Sequence, residues 1–176
     1  MTVSRDPLPG FKWPVKAGRL IAAPATRVWE VISSPGNLTQ FHPYCRSNPV
    51  HVWPGRSSHD VVHYFNGLVL ERRFTEWYES SGYDLEIGTV GGRTSVVTWR
   101  IEPIDEHASS ISITVYPHAL QHTPTVLRWL PHMIKIRPNL KVYLQSVVMG
   151  LEWFVANDQP VRRNQFGAHP WFSPSS

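Results

Sequence analysis

Apolar and polar residues alternate through the middle of this chain, and helical spacing takes over on either side. Residues 15–23 read as a first strand. Pro24 suits the first turn of a helix. Val28, Val31 and Ile32 then recur at helical spacing, with Trp29 beside them. Ser34-Pro35 stops that helix and starts a second short one through Asn37, Leu38 and Phe41, which His42-Pro43 ends. Eight prolines precede residue 55 and none follows until Pro103. Proline is excluded from central strands, so residues 55–102 are predicted to be continuous β-structure.

Asn66-Gly67 lies between two alternating runs and signals a hairpin. A two-residue loop pairs Phe65 with Leu68, His63 with Leu70, Val61 with Arg72 and His59 with Phe74 on one face. The opposite face then carries Asp60 against Arg73, a favourable exposed pair. The first face is the more apolar, so it is expected to point inward. A four-residue turn at 79–82 continues that face through Glu76, Leu85 and Ile87. Gly91-Gly92 turns into a strand over 94–102. A two-residue loop there turns Trp99 outward and packing prefers it inward, so the register stays open. Residues 109–116 give a last strand, with Ile111, Ile113 and Val115 on one face.

Residues 117–137 form a proline-broken connection. Pro138 opens the longest helix, to about Ala156, with Leu140, Leu144, Val147, Leu151 and Phe154 along one stripe. This order is α+β. A single long helix over a wide curved sheet leaves room for a hollow. Residues 1–14 read as an extension, 15–156 as one domain and 157–176 as a tail. With Phe166, Trp171 and Phe172, the tail is suited to fold back over the body or to contact a second subunit.

Composition narrows the classes. Hydrophobic residues make up 41% of 176, enough for a packed core. The longest apolar runs stop well short of a membrane helix. Residues 1–10 hold Arg5, Asp6 and two prolines without an apolar stretch, which predicts no secretory signal and a cytoplasmic protein. Cys45, the one cysteine, excludes an internal disulfide and a cysteine-rich zinc site. Net charge is +4, and the acid-free stretch 107–151 carries all of it through Arg128, Lys135, Arg137 and Lys141. Those four residues suit an anionic membrane surface. The basic residues are spread out and no recognition motif accompanies them, so nucleic acid is not expected.

The stretch Ile21-Ala22-Ala23-Pro24-Ala25-Thr26-Arg27-Val28-Trp29-Glu30-Val31-Ile32-Ser33-Ser34-Pro35-Gly36-Asn37 resembles the opening of the START/Bet v 1-like superfamily (SRPBCC), in its polyketide cyclase/dehydrase branch. Thr75-Glu76-Trp77, the segment from Trp99 to Asp105 and the last helix fall where that family has equivalents. The resemblance covers about 15–156. It implies a helix-grip fold: a curved antiparallel sheet around a long C-terminal helix, two short helices after the first strand, and an apolar cavity between sheet and helix. It implies binding of lipids or other hydrophobic molecules; some members cyclise or dehydrate polyketides. No shared catalytic set or cofactor transfers. Glu106-His107-Ala108-Ser109-Ser110 replaces the family's Gly-Gly-Thr-Arg-like turn, residues 117–137 are longer and more cationic than the family pattern, and the tail is an addition.

On the inward face of the hairpin register, His59, His63, Arg72 and Glu76 join Val61, Phe65, Leu70, Phe74, Leu85 and Ile87, with Leu144 facing them from the helix. Three readings follow. The polar set anchors the polar end of a small hydrophobic ligand. Alternatively, His59 or His63 acts as acid or base, oriented by Glu76, with Arg72 stabilising an enolate in a cyclase or dehydratase. In the third, Arg72 and Glu76 form a buried ion pair and the histidines only pack. A membrane-associated lipid carrier is a further alternative for the protein as a whole. His59 and His63 are four apart in a strand, about 13 Å, so they cannot chelate one metal. The chain is expected to act as a monomer or homodimer.

Overall fold

The computed structural model describes residues 13–118 and 135–173. Its elements run β1 (Val15–Ile21), α1 (Ala25–Ile32), α2 (Leu38–Phe41), β2 (Cys45–Ser47), β3 (Val50–Val52), β4 (His59–Tyr64), β5 (Val69–Tyr78), β6 (Gly82–Gly88), β7 (Thr94–Pro103), β8 (Ser109–Tyr116) and α3 (Arg137–Asn157). The strands form one antiparallel sheet in the order β1-β8-β7-β6-β5-β4-β2, with β3 also on β4. The first and last long strands are neighbours, so the sheet winds back on itself in sequence order. α3 packs along β1 and touches β8, α1 and α2. This is the α+β helix-grip arrangement.

Alternation decides which side chains meet α3. Ile111, Ile113 and Val115 point in from β8, as do Val97, Trp99 and Ile101 from β7 and Tyr83 and Leu85 from β6. A five-residue connection from Gly88 to Thr94 sets the β7 register and turns Trp99 inward. Gly150 lets α3 approach α2 closely: a methyl there would overlap the Phe41 carbonyl oxygen. At the end of the sheet near α1, Trp29 and Trp77 both donate their indole N–H to Glu79, at 3.0 and 3.1 Å. One carboxylate thereby orients two large core rings in the tight turn that precedes β6.

The expected hairpin register is off by one residue. Asp60 pairs with Arg72, Val61 with Glu71 and Val62 with Leu70. The loop holds three residues, not two: Tyr64 N–H donates to Leu68 O (2.8 Å) and Gly67 takes a positive φ of 89°. That is the three-residue turn closed by a left-handed glycine. The slip reverses β4 while β5 keeps its face. Asp60, Val62 and Tyr64 therefore point in, and His59, Val61 and His63 point to the outer face. A bulge between Phe74 and Glu76 then shifts β5 by one. It turns Trp77 toward the core and Glu76 away from it.

Beyond α3 the chain reverses at Asp158, in the left-handed conformation, and runs back along the body. Val161 N–H donates to Gln40 O (2.9 Å) and Asn164 N–H to Pro43 O (3.0 Å). Among the described residues, no helix is long and apolar enough to cross a membrane.

Candidate functional site

A cavity of about 390 Å³ lies between the sheet and α3. Leu70, Leu85, Ile87, Val97, Trp99, Ile113 and Val115 line it from the strands, and Leu140, Leu144 and Val147 from the helix. The volume is within the range of small-molecule sites, about 300–1,000 Å³. The cavity reaches the end of the sheet that carries the β4–β5 turn, the β6–β7 loop and the start of α3. Thr89 and Arg93, exposed on the β6–β7 loop, line it there.

Among the described residues, three hydrogen-bonded polar sets also face this apolar space. The first is Arg72 on β5, 3% exposed, beside Asp60 on β4, fully buried. Arg72 Nε donates to Asp60 Oδ1 (2.7 Å) and Nη2 to Oδ2 (2.5 Å), a two-pronged contact. The Asn37 and Asn48 carbonyl oxygens stand 3.5 and 3.4 Å from Nη2. Burial disfavours the guanidinium charge, but the Asp60 carboxylate outweighs it and holds Arg72 protonated. The pair is net neutral.

The second group is a chain of three hydrogen-bonding side chains, one each from the end of α2, β4 and α3. His42 Nε2 lies 2.8 Å from Tyr143 Oη, and Tyr143 Oη lies 3.0 Å from Tyr64 Oη. Tyr44 N–H donates to His42 Nδ1 (3.2 Å), so that nitrogen carries no proton. The ring is then neutral with its proton on Nε2, which donates to Tyr143. Either hydroxyl of the Tyr143–Tyr64 pair can donate to the other, and in both cases one phenolic O–H of the two is left to donate to a guest. Burial, reinforced by the Arg72 charge, lowers His42 to about 3. Burial pushes Tyr64 up to about 12 and raises Tyr143 well above its ordinary value. All three groups are uncharged at neutral pH.

The third group is at the end that carries the β6–β7 loop. Ser95 Oγ and His118 Nδ1 are 2.9 Å apart, and burial and Arg93 lower His118.

Of the side chains expected in the site, Leu70, Arg72, Leu85, Ile87 and Leu144 line the cavity. Phe74 is buried on the same face but packs into the aromatic cluster with Trp53, Trp77 and Tyr83. The slipped register removes His59, Val61, His63 and Phe65 from the lining. His59 stacks on His51 (5.0 Å) and lies 3.9 Å from Glu71, on the far side of the sheet. Glu76 pairs with the exposed Arg56 at 3.5 Å, so the Arg72–Glu76 ion pair gives way to Arg72–Asp60. His42, Tyr64 and Tyr143 escape the sequence reading. Among the described residues, no group of three or more His, Cys, Asp or Glu is placed to hold a metal ion. Of the basic set, Lys135, Arg137 and Lys141 are exposed; Arg128 lies outside the described residues.

No curated protein matches this sequence. Solved structures do match in fold. DynU16, from the dynemicin biosynthetic locus, is 15% identical with a TM-score of 0.65, over 85% of this chain and 49% of its own. The di-domain ARO/CYC BexL from the BE-7585A biosynthetic pathway is 18% identical with a TM-score of 0.63, over 83% of this chain and 48% of its own. The chain thus spans about half the length of each. Ara h 8.0201 is 17% identical with a TM-score of 0.62, over 82% of this chain and 97% of its own. The family described as polyketide cyclase / dehydrase and lipid transport matches residues 12–137, and the chain belongs to it.

Proposed function

We propose that the protein binds a small hydrophobic molecule bearing a neutral oxygen, a carbonyl or a hydroxyl, in the cavity between sheet and α3. The carrying observation is that the deep polar groups are net uncharged and end on a hydroxyl donor. Asp60 already matches Arg72, so an anionic headgroup there would meet the carboxylate as well as the guanidinium. His42, Tyr143 and Tyr64 supply hydrogen bonds without charge, which suits a neutral acceptor. Family membership supports this reading, and the apolar lining accounts for the rest of the molecule.

The test uses 1-decanol against decanoate at pH 8, by calorimetry. Decanol is expected to bind more tightly than decanoate. The double variant Tyr64→Phe/Tyr143→Phe removes both hydroxyls and is expected to weaken decanol about fivefold, the worth of one neutral hydrogen bond. Tighter binding of decanoate, or no effect of the double variant, defeats the assignment. A cyclase or dehydratase would need a group titrating near neutrality beside the reacting proton. His42 is neutral down to about pH 3, and His118 stands at the end that carries the β6–β7 loop, bonded to Ser95.

A second reading, exchange of the ligand with an anionic lipid surface, rests on side chains exposed at one end of the fold. Val90, 74% exposed, tips the β6–β7 loop beside exposed Arg93, and Lys135 and Arg137 are exposed at the start of α3. The prediction is flotation with phosphatidylglycerol vesicles, lost in Lys135→Glu/Arg137→Glu and absent with phosphatidylcholine alone. Equal flotation of the variant would discard this reading.

A further inference from the structure

The returning tail crosses this end of the cavity between two rims. On one rim is the first turn of α3, where His169 Nε2 donates to Asn139 O (2.9 Å). On the other is the β4–β5 turn, where Asn66 Nδ2 donates to Trp171 O (2.7 Å). His169 is 1% exposed, so this attachment is buried, and inside the tail its Nδ1 accepts from Trp171 N–H (3.2 Å), which fixes the ring. Asn66 is exposed, and its hold on Trp171 is a single hydrogen bond. The two attachments differ in burial, which suits the shielded one to act as a hinge and the exposed one as a catch.

What the tail carries between them matters for the site. Trp171 and Phe172 both line the cavity. The Phe172 ring is 4.2 Å from Tyr143 and 5.0 Å from Tyr64, between centroids. It thus covers the two tyrosines whose hydroxyls end the hydrogen-bond chain. Tyr44, which packs on the same ring at 6.4 Å, donates its hydroxyl to Gly167 O (3.2 Å) and ties the tail to the body just before the hinge.

We propose that residues 161–173, beyond the span matched to the family, form a wall of the ligand site, with Phe172 touching the ligand beside the hydroxyl cluster and the Asn66–Trp171 hydrogen bond acting as the catch released for exchange. This rests on the cavity being a ligand site. It adds that ligand fit depends on a segment outside the grip, and that exchange is set by a residue that touches no ligand.

Asn66→Asp isolates the catch. The new carboxylate still accepts from Leu68 N–H, as the Asn66 Oδ1 does at 3.0 Å, so the turn survives. The donor to Trp171 O is lost and an oxygen faces an oxygen. Stopped-flow tryptophan fluorescence reads 1-decanol directly, because Trp99 and Trp171 line the cavity. Asn66→Asp is expected to raise the decanol dissociation rate about fivefold with an unchanged melting temperature. It is also expected to speed hydrogen exchange at the Ser173 amide, which donates to His169 O at 2.9 Å. Phe172→Ala is expected to weaken decanol about tenfold and Phe172→Leu to recover most of that. Decanol that binds with the same kinetics in Asn66→Asp overturns the catch, and equal affinity in Phe172→Ala overturns the wall. Both failures leave the cavity reading intact. Failure of wild-type protein to bind decanol overturns that reading and this proposal with it.

Discussion

Asp60→Asn is expected to destabilise the protein by about 3–5 kcal/mol, although it barely changes side-chain shape. The reason is what it leaves behind. Arg72 stays charged in the cavity wall, facing the one amide oxygen of the new asparagine and the Asn37 and Asn48 oxygens at 3.5 and 3.4 Å from Nη2. None of them carries charge. For a chain of this size each kcal/mol moves the melting temperature by about 2–4 °C, so a fall of roughly 6–20 °C is expected in a thermal melt. The double variant Asp60→Leu/Arg72→Met separates two explanations. Replacing both members of a buried pair with apolar side chains is often neutral or better, because neither charge then has to be desolvated. The double variant should melt well above Asp60→Asn. If it melts as low or lower, the pair is worth more than its desolvation and the argument fails. The test bears on the site as well, because Arg72 lines the cavity and the neutrality of its pair is what favours an uncharged ligand oxygen.

The same pair explains why part of the site was hidden in the sequence. Arg72 and Arg73 are consecutive, so Asp60 finds a cationic partner in either hairpin register: Arg73 with a two-residue loop, Arg72 with the observed three-residue loop. Charge complementarity could not choose between them. Asn66-Gly67 fits both loops, since Gly67 supplies the left-handed residue either way. Apolar patterning was also weak, because Val61 and Phe65 on one face balance Val62 and Tyr64 on the other. What was legible was the part fixed by strong periodicity or by proline: β8, the inward Leu70, Arg72 and Phe74 of β5, both short helices and the Pro138 start of α3. Glu76 was misplaced because a bulge leaves no mark in an alternating run. His42 and Tyr143 belong to the site only through packing of α2 against α3, and that contact joins residues 101 apart in the chain. No local pattern carries such a contact.

His42 yields the second large effect, an acid-dependent loss of stability. Its folded pKa, lowered to about 3, is below the ordinary 6.5. A depressed folded value means that stability is fully present above 6.5 and is lost as pH falls toward 3, because only the unfolded chain takes up the proton easily. The slope is about 1.4 kcal/mol per pH unit in that window, so about 3 kcal/mol is expected to disappear between pH 7 and pH 4. Burial is the main cause, and the neighbouring Arg72 charge adds to it. The geometry agrees: a protonated ring has two donors, but Nδ1 already faces the Tyr44 N–H and cannot donate into it. Other groups contribute to any acid transition, and His169 is lowered by burial in the same sense. His42→Gln separates its share. A glutamine can donate toward Tyr143 and accept from Tyr44 without ever being charged. Urea unfolding of both proteins at pH 7 and pH 4 should show the wild type losing about 3 kcal/mol more than the variant over that interval. Equal losses would mean that His42 is not buried in the neutral form, and the uncharged hydroxyl chain that is offered to a ligand would lose its first link.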